Sequence, residues 1–419
     1  MKIGNDHLTY STLVHPGDTW DEMWNSLITY VPKVKARVAA DEPFGVSLRL
    51  SASSAQTLVG SDAERARLRE FLADNDLYVY TVNAFPYGPF KGQRVKEQVY
   101  EPDWRSEERV QYTKNVADVL AEIAPQNLAP SIQSAPLGFK PRVTDASVVE
   151  SYTEHVLTVI AHLVALEART GCTVTLALEP EPLCFLETTA ETIAYFEEHL
   201  YSGAAAQRLA KLSGLPLSSA HGSLRRHLGI VFDCCHQAIE YEDAASSLAA
   251  LRDAGIPVFK LQQAAAVQVP EVTPAAVETL ERYVDTVYLT QTFERRDGKL
   301  TRFTHLEDAI ASFRADPSGG REWRVHFHVP VFLEDLGPFR STRSAIADAL
   351  AYHRVHDVSH QLEIETYTWD VLPAELKHGD IVDYVTRELE WVRGQLTGES
   401  DGRSGLVAAA DGRVAPAAH

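Results

Sequence analysis

The 419 residues are 45% hydrophobic and 23% charged and carry a net charge of −19, a composition that supports a full core in a soluble globular protein. No Lys/Arg run extends beyond pairs such as Arg225-Arg226 and Arg295-Arg296, and without a basic stripe a nucleic acid is not an expected partner. No apolar stretch reaches the length of a membrane span, the amino terminus has no signal-peptide core, and Cys172, Cys184, Cys234 and Cys235 form no C-x-x-C pair, so the expectation is a cytoplasmic chain with reduced thiols.

In chain order, β-branched and apolar runs predict strands at Lys2–Gly4 continuing toward Leu8–Val14, then at Phe44–Leu50, Leu77–Ala84, Leu128–Gln133, Thr173–Glu179, Leu228–Asp233, Val258–Gln262 and Leu362–Thr366. Helix-period stretches lie between them, at Ala63–Asp74, Ser106–Ile123, Ala146–Thr170, Glu191–Leu200, Ala244–Ala254, Pro274–Tyr283 and Thr342–His353. Alternation of strand and helix predicts parallel βαβ units. Eight repeats, and the absence of G-x-G-x-x-G after the first strand, favour a closed α/β fold of the (β/α)8 TIM barrel type over an open doubly wound sheet. A barrel takes roughly 250 residues, so one elaborated domain over 1–397 accounts for nearly all of the chain. The surplus falls between the seventh and eighth strands, in an insertion at about 284–335. There Val284–Phe293, the turn Arg296-Asp297-Gly298 and Leu300–Thr304 predict a β-hairpin over the pocket, followed by a short strand at Trp323–Val329. Residues 398–419 are rich in Gly, Ala, Ser and Asp without periodicity, and a disordered tail is expected.

Acid/base and metal-binding side chains stand at the ends of several of these strands, where a barrel gathers them into one pocket. The strongest signal is Asp233-x-x-His236, a carboxylate leaving a strand with an imidazole on the next turn, which suits one metal or a close pair. The same Asp would also suit a helix cap. Glu179 ends a strand too apolar to carry an unpaired carboxylate. Glu363 and Glu365 share one strand face and repel unless cations balance them; Glu365, nearer the strand end, is the expected ligand. His326 and His328 share a face of their short strand, a spacing that can serve one metal. Lys260 and Gln262 share a face of the seventh strand, with Lys260 either stabilising oxyanion charge or balancing the acids. His7 and His15 are read as lining the mouth, and Asn83 and Gln133 as hydrogen-bonding substrate hydroxyls.

Taken together, Glu179, Asp233 with His236, the His326/His328 pair and Glu365 resemble the xylose isomerase-like barrel superfamily, which includes sugar epimerases and endonuclease IV-type enzymes. That resemblance implies one to three divalent ions (Zn, Mn or Mg), with Glu179 and Glu365 as ligands and base. A departure is Lys260 and Gln262 where sugar isomerases carry a metal-binding His on the seventh strand. The segments Leu8-Thr9-Tyr10, His15-Pro16-Gly17, Leu178-Glu179-Pro180, Phe232-Asp233-Cys234-Cys235-His236, His326-Phe327-His328-Val329-Pro330 and Glu365-Thr366-Tyr367-Thr368-Trp369 more closely resemble the metabolite-traffic protein E family of the bacterial ebo operon. This implies a role in making or exporting secondary metabolites beside other ebo operon proteins. The expected activity is isomerisation or epimerisation of a small polyhydroxy metabolite. The alternatives are phosphoester hydrolysis on a small substrate, or metabolite binding without catalysis.

Overall fold

In the computed structural model, which describes residues 1–90, 94–284, 287–377 and 379–398, the eight apolar runs become parallel strands. They are Asp6–Tyr10, Phe44–Arg49, Leu77–Asn83, Ser131–Ser134, Thr175–Leu178, Leu228–Asp233, Val258–Gln263 and Gln361–Ile364, numbered first to eighth below. Each of the third to seventh pairs with both of its sequence neighbours, the second forms a ladder with the third, and the eighth lies between the seventh and the first. A parallel bridge from Ser11 to Ser47 joins the first to the second. This order closes a (β/α)8 barrel. The strands read as continuous apolar runs because helices cover them outside and side chains fill them inside. The fourth strand starts later than expected, after Pro130, which has no N–H to give the ladder. Lys2–Ile3 turns back antiparallel on the first strand through Gly4, whose φ of 61° favours a residue without a Cβ.

The expected helices form within a few residues of their predicted bounds, for example Asp62–Asp74, Glu107–Ile123 and Ala146–Thr170. Trp20–Val38, Ala52–Gly60, Gly203–Ser213, Leu217–His227 and Ile381–Thr397 join them. The first of these carries Pro32 in its interior, a residue that argues against a helix when read in sequence. Among the described residues no helix is long and apolar enough to cross a membrane. All four cysteines are buried and unpaired.

The insertion is larger than the hairpin read from the sequence. From the seventh strand the chain runs through Ala264 into Ala265–Val269, and a second, antiparallel sheet of five strands follows the order Lys299–Phe303, Thr292–Arg296, Arg321–Val329, Ala265–Val269, Arg340–Ser341. The hairpin's first strand starts at Thr292 rather than Val284, and residues 285 and 286 lie outside the described residues. Its turn places Asp297 and Gly298 both at positive φ, 51° and 74°, the backbone of a two-residue turn that matches strand twist. A bulge between Val325 and His328, where two residues find no partner on Ala265–Val269, redirects the end of Arg321–Val329 toward the barrel mouth. The tail from residue 399 onward lies outside the described residues.

The last helix, Ile381–Thr397, buries Glu388, which accepts hydrogen bonds from the Thr366 hydroxyl at 2.8 Å and the Val331 amide at 3.2 Å. Burial pushes this carboxyl up to about 8 from its ordinary 4.5. Between those values the folded chain keeps a proton that the unfolded chain has released, so this group makes stability fall as pH rises from 4.5 through 8. Glu388→Gln, which stays neutral, is expected to remove a slope of up to about 1.4 kcal/mol per pH unit. Urea denaturation at pH 5 and pH 8 measures it, and an unchanged slope refutes the assignment.

Candidate metal centre

At the carboxyl end of the barrel the strand-end side chains meet. Glu179 follows the fifth strand, its amide still bonded to the Ser134 carbonyl at 3.0 Å, and Glu365 follows the eighth, its amide on the Gln263 carbonyl at 3.1 Å. The ladders therefore hold both residues at fixed height. Asp233 ends the sixth strand and does two things at once. Its Oδ1 accepts from the His236 amide at 2.9 Å, capping the helix Cys234–Ile239, while its Oδ2 faces the barrel interior.

The three carboxylates converge on one atom. Gln262 Nε2 lies 2.8 Å from Glu179 Oε1, 2.6 Å from Asp233 Oδ2 and 3.0 Å from Glu365 Oε2. An amide nitrogen has only two hydrogens for these three acceptors. Its partner oxygen, Gln262 Oε1, is buried with no hydrogen-bond partner among the described residues. Positive charge at this focus would satisfy what the amide cannot. Burial, followed by the charges of Glu365 and Asp233, raises the Glu179 carboxyl well above its usual range. Burial and Glu363 do the same for Glu365. Glu179, Glu181, Asp233, Glu363 and Glu365 are all buried, and Lys260 is the buried ammonium among them. That excess of acid calls for protons or cations.

Three imidazoles complete the centre, and each has one ring nitrogen tied down. Nδ1 of His236 lies 2.9 Å from the Pro180 carbonyl, and Nδ1 of His328 lies 2.8 Å from the Glu365 carbonyl. Carbonyls only accept, so both Nδ1 atoms carry hydrogen. His326 Nδ1 lies 2.9 Å from Gln291 Oε1. The orientation of Gln291 follows from its Nε2, which faces Glu181 Oε1 at 3.2 Å and the Pro182 carbonyl at 3.4 Å. In neutral form all three rings therefore present a bare Nε2, the tautomer and the second contact that metal-binding histidines need. The Nε2 atoms of His326 and His328 are 3.2 Å apart, two lone pairs face to face unless a cation lies against them. Burial drives His326 well below its usual value and His328 down to about 4, which disfavours a proton in that role.

Ligand atoms come within 4.8 Å of one another in three buried groups: Glu179, Asp233 and His236; Glu181, His236 and His326; Cys235, His326 and His328. His236 and His326 each belong to two of them, so the donors form one continuous centre. Their chemistry fits divalent ions, with carboxylates suited to Mg or Mn and imidazole or thiolate to Zn.

Of the remaining residues read from the sequence, Asn83 donates to Glu365 Oε1 at 2.8 Å and Gln133 to Glu179 Oε2 at 2.5 Å, so both orient carboxylates. Three expectations need correction. Lys260 does not line the cavity; its ammonium is fully buried 3.1 Å from Glu363 and donates to Gln133 Oε1, which makes it the charge balance of the barrel interior. His7 sits near the start of the first strand, at the opposite end of the barrel, on the Tyr78 hydroxyl at 2.6 Å. His15 packs inward on the Tyr10 hydroxyl at 2.9 Å and stacks on Tyr30, lining a separate cleft with Trp20 and Arg49.

Sequence reading passed over Glu181, held by the Tyr100 hydroxyl at 2.8 Å, as well as Gln291 and Cys235. The flanking prolines of Pro180-Glu181-Pro182 were the available signal for Glu181, since they fix its direction two residues beyond Glu179.

Solved structures of similar outline include a xylose isomerase-like TIM barrel protein from Mycobacterium smegmatis in complex with magnesium, 11% identical, covering 94% of this chain and 97% of that one with a TM-score of 0.49. Others are a D-tagatose 3-epimerase-like protein (11% identical, 94% and 98% covered, TM-score 0.47) and the IolI protein with a binding zinc atom (10%, 94% and 98%, 0.45). Likenesses at these scores carry no argument, and the fold rests on the sheet order above. No family model and no curated protein sequence matches the chain, so the comparisons lend no support to the narrower resemblance to the metabolite-traffic family.

Proposed function

We propose that the chain is a divalent-metal enzyme of the sugar isomerase or epimerase type, acting in the cytoplasm on a small hydroxylated metabolite. The observation that carries this reading is the continuous run of buried ligand groups that holds three anchored imidazoles, together with three carboxylates crowded on one amide nitrogen. Glu179, Asp233 and His236, with Glu365 beside them, would hold one ion; His326 and His328, with Cys235 or Glu181, offer a second seat. A bound ion supplies Lewis acidity toward a substrate carbonyl or hydroxyl. The chain's own groups then manage the proton. Glu179 and Glu365, both facing the cavity, are placed to take a proton from the carbon beside that group and return it. Glu181, fixed by Tyr100 and Gln291, is a third carboxyl on the same wall.

Hydrolysis of a small phosphoester is the second reading, favoured by a donor set large enough for more than one ion. Against it, Lys96 is the single Lys or Arg among the described lining residues, and its ammonium lies 3.8 Å from Glu307. Binding without catalysis, in metabolite traffic beside other ebo operon proteins, is supported by the motif resemblance alone. Elemental analysis of protein purified without added salts tests the centre. Wild type is expected to hold at least one divalent ion per chain, and the double variant Glu179→Gln/Asp233→Asn is expected to lose at least one. Unchanged metal content would reject this ligand set.

A further inference from the structure

We infer that the substrate carries its oxygen functions at one end and a short apolar body at the other. This deepens the metal reading above, on which it rests, and narrows the polyhydroxy substrate expected from the sequence. The cavity over the centre measures about 60 Å³, which suits a small molecule.

Its two sides differ in kind. Glu179, Glu181, His236, His326 and Glu365 form the floor. Leu13, Phe85, Phe90, Val95, Tyr288 and Leu289 form the roof, each less than a tenth exposed. The ring of Phe90 lies 4.9 Å from that of Tyr288 and 5.2 Å from that of Tyr367, and Tyr288 and Tyr367 are 5.1 Å apart. Tyr367 in turn lies 4.4 Å from the His328 ring, so the apolar wall begins directly at the imidazole cluster.

A sugar with a hydroxyl on every carbon suits the floor alone. Any hydroxyl turned toward the side chains of Leu13, Phe85, Phe90, Val95 or Leu289 gives up its water without gaining a donor or acceptor. A methyl or methylene in the same place gains contact and leaves water. The wall thus selects against oxygen on the far carbons, and Lys96, already near Glu307, offers no cluster of positive charge for a phosphate there.

Two small chelators isolate this effect. Propionohydroxamate and glycolohydroxamate present the same metal-binding head and differ only in a terminal methyl against a terminal hydroxyl. Their affinities for the full-length, metal-reconstituted protein are measured by calorimetry, with metal content determined on the same samples. Propionohydroxamate is expected to bind about tenfold tighter or more, the discrimination of one group in an apolar pocket. Phe90→Ser and Leu289→Asn are expected to bring the ratio toward one with metal content unchanged. Equal affinities, a preference for glycolohydroxamate, or no binding of either probe by metal-loaded protein would overturn the inference and leave the metal reading standing. Protein that takes up no metal would remove the metal reading, and the inference with it.

Discussion

Replacing His326 and His328 together by alanine is expected to remove the share of metal stabilisation that the ion seated on these rings gives to the fold. A ligand bound only by the folded state adds about 2.7 kcal/mol at a concentration a hundredfold above its Kd. Wild type should therefore melt at lower temperature after treatment with a chelator and recover when zinc or manganese is returned. In the double variant the chelator should cause a much smaller shift, and elemental analysis should show the loss of the ion seated on these rings. The reasoning is geometric: two Nε2 atoms 3.2 Å apart, with both Nδ1 atoms engaged elsewhere, leave no hydrogen between them. Alanine removes both lone pairs and with them the reason for a cation. If the double variant responds to chelator and metal as wild type does, the ions sit elsewhere.

The second large effect concerns the barrel interior below the centre. Lys260 and Glu363 are both fully buried and 3.1 Å apart. Neither Glu363 oxygen takes a well-directed hydrogen bond, so the ammonium is its main compensation. Lys260→Met leaves that carboxylate buried and unpaired and is expected to cost about 3–5 kcal/mol of unfolding free energy. Lys260→Met/Glu363→Met replaces the pair by apolar side chains and should recover most of the loss, because desolvation no longer opposes burial. Denaturant unfolding of the single and double variants gives both numbers. A single variant as stable as wild type would show that Glu363 does not depend on the lysine.

The barrel was legible in the sequence because parallel strands, buried on both faces, leave continuous apolar runs, and because a polar residue ending such a run has to be explained. Glu179, Asp233 and Glu365 were found that way. The same rule misplaced His7, since a short first strand gives little sign of which end a polar residue occupies; His7 proved to be near the start. His15 was read as a mouth residue from its loop position, whereas two tyrosines bury it. The helix Trp20–Val38 was hidden by its proline, and Ala265–Val269 was hidden by following the seventh strand almost without a break. Glu181 had a local signal in its flanking prolines, but Gln291 and Cys235 were not legible because their meeting depends on how the second sheet crosses the barrel mouth, and that crossing is set by a bulge rather than by any local pattern.

The anchoring of the three rings bears on how this centre can drift under mutation. Two of the clasps, at Pro180 and Glu365, are made by main-chain oxygens, which survive whatever side chain a substitution installs. The third is the amide of Gln291, so heritable change in ring orientation is channelled through that one codon, and a lineage abandoning the chemistry would show it there early.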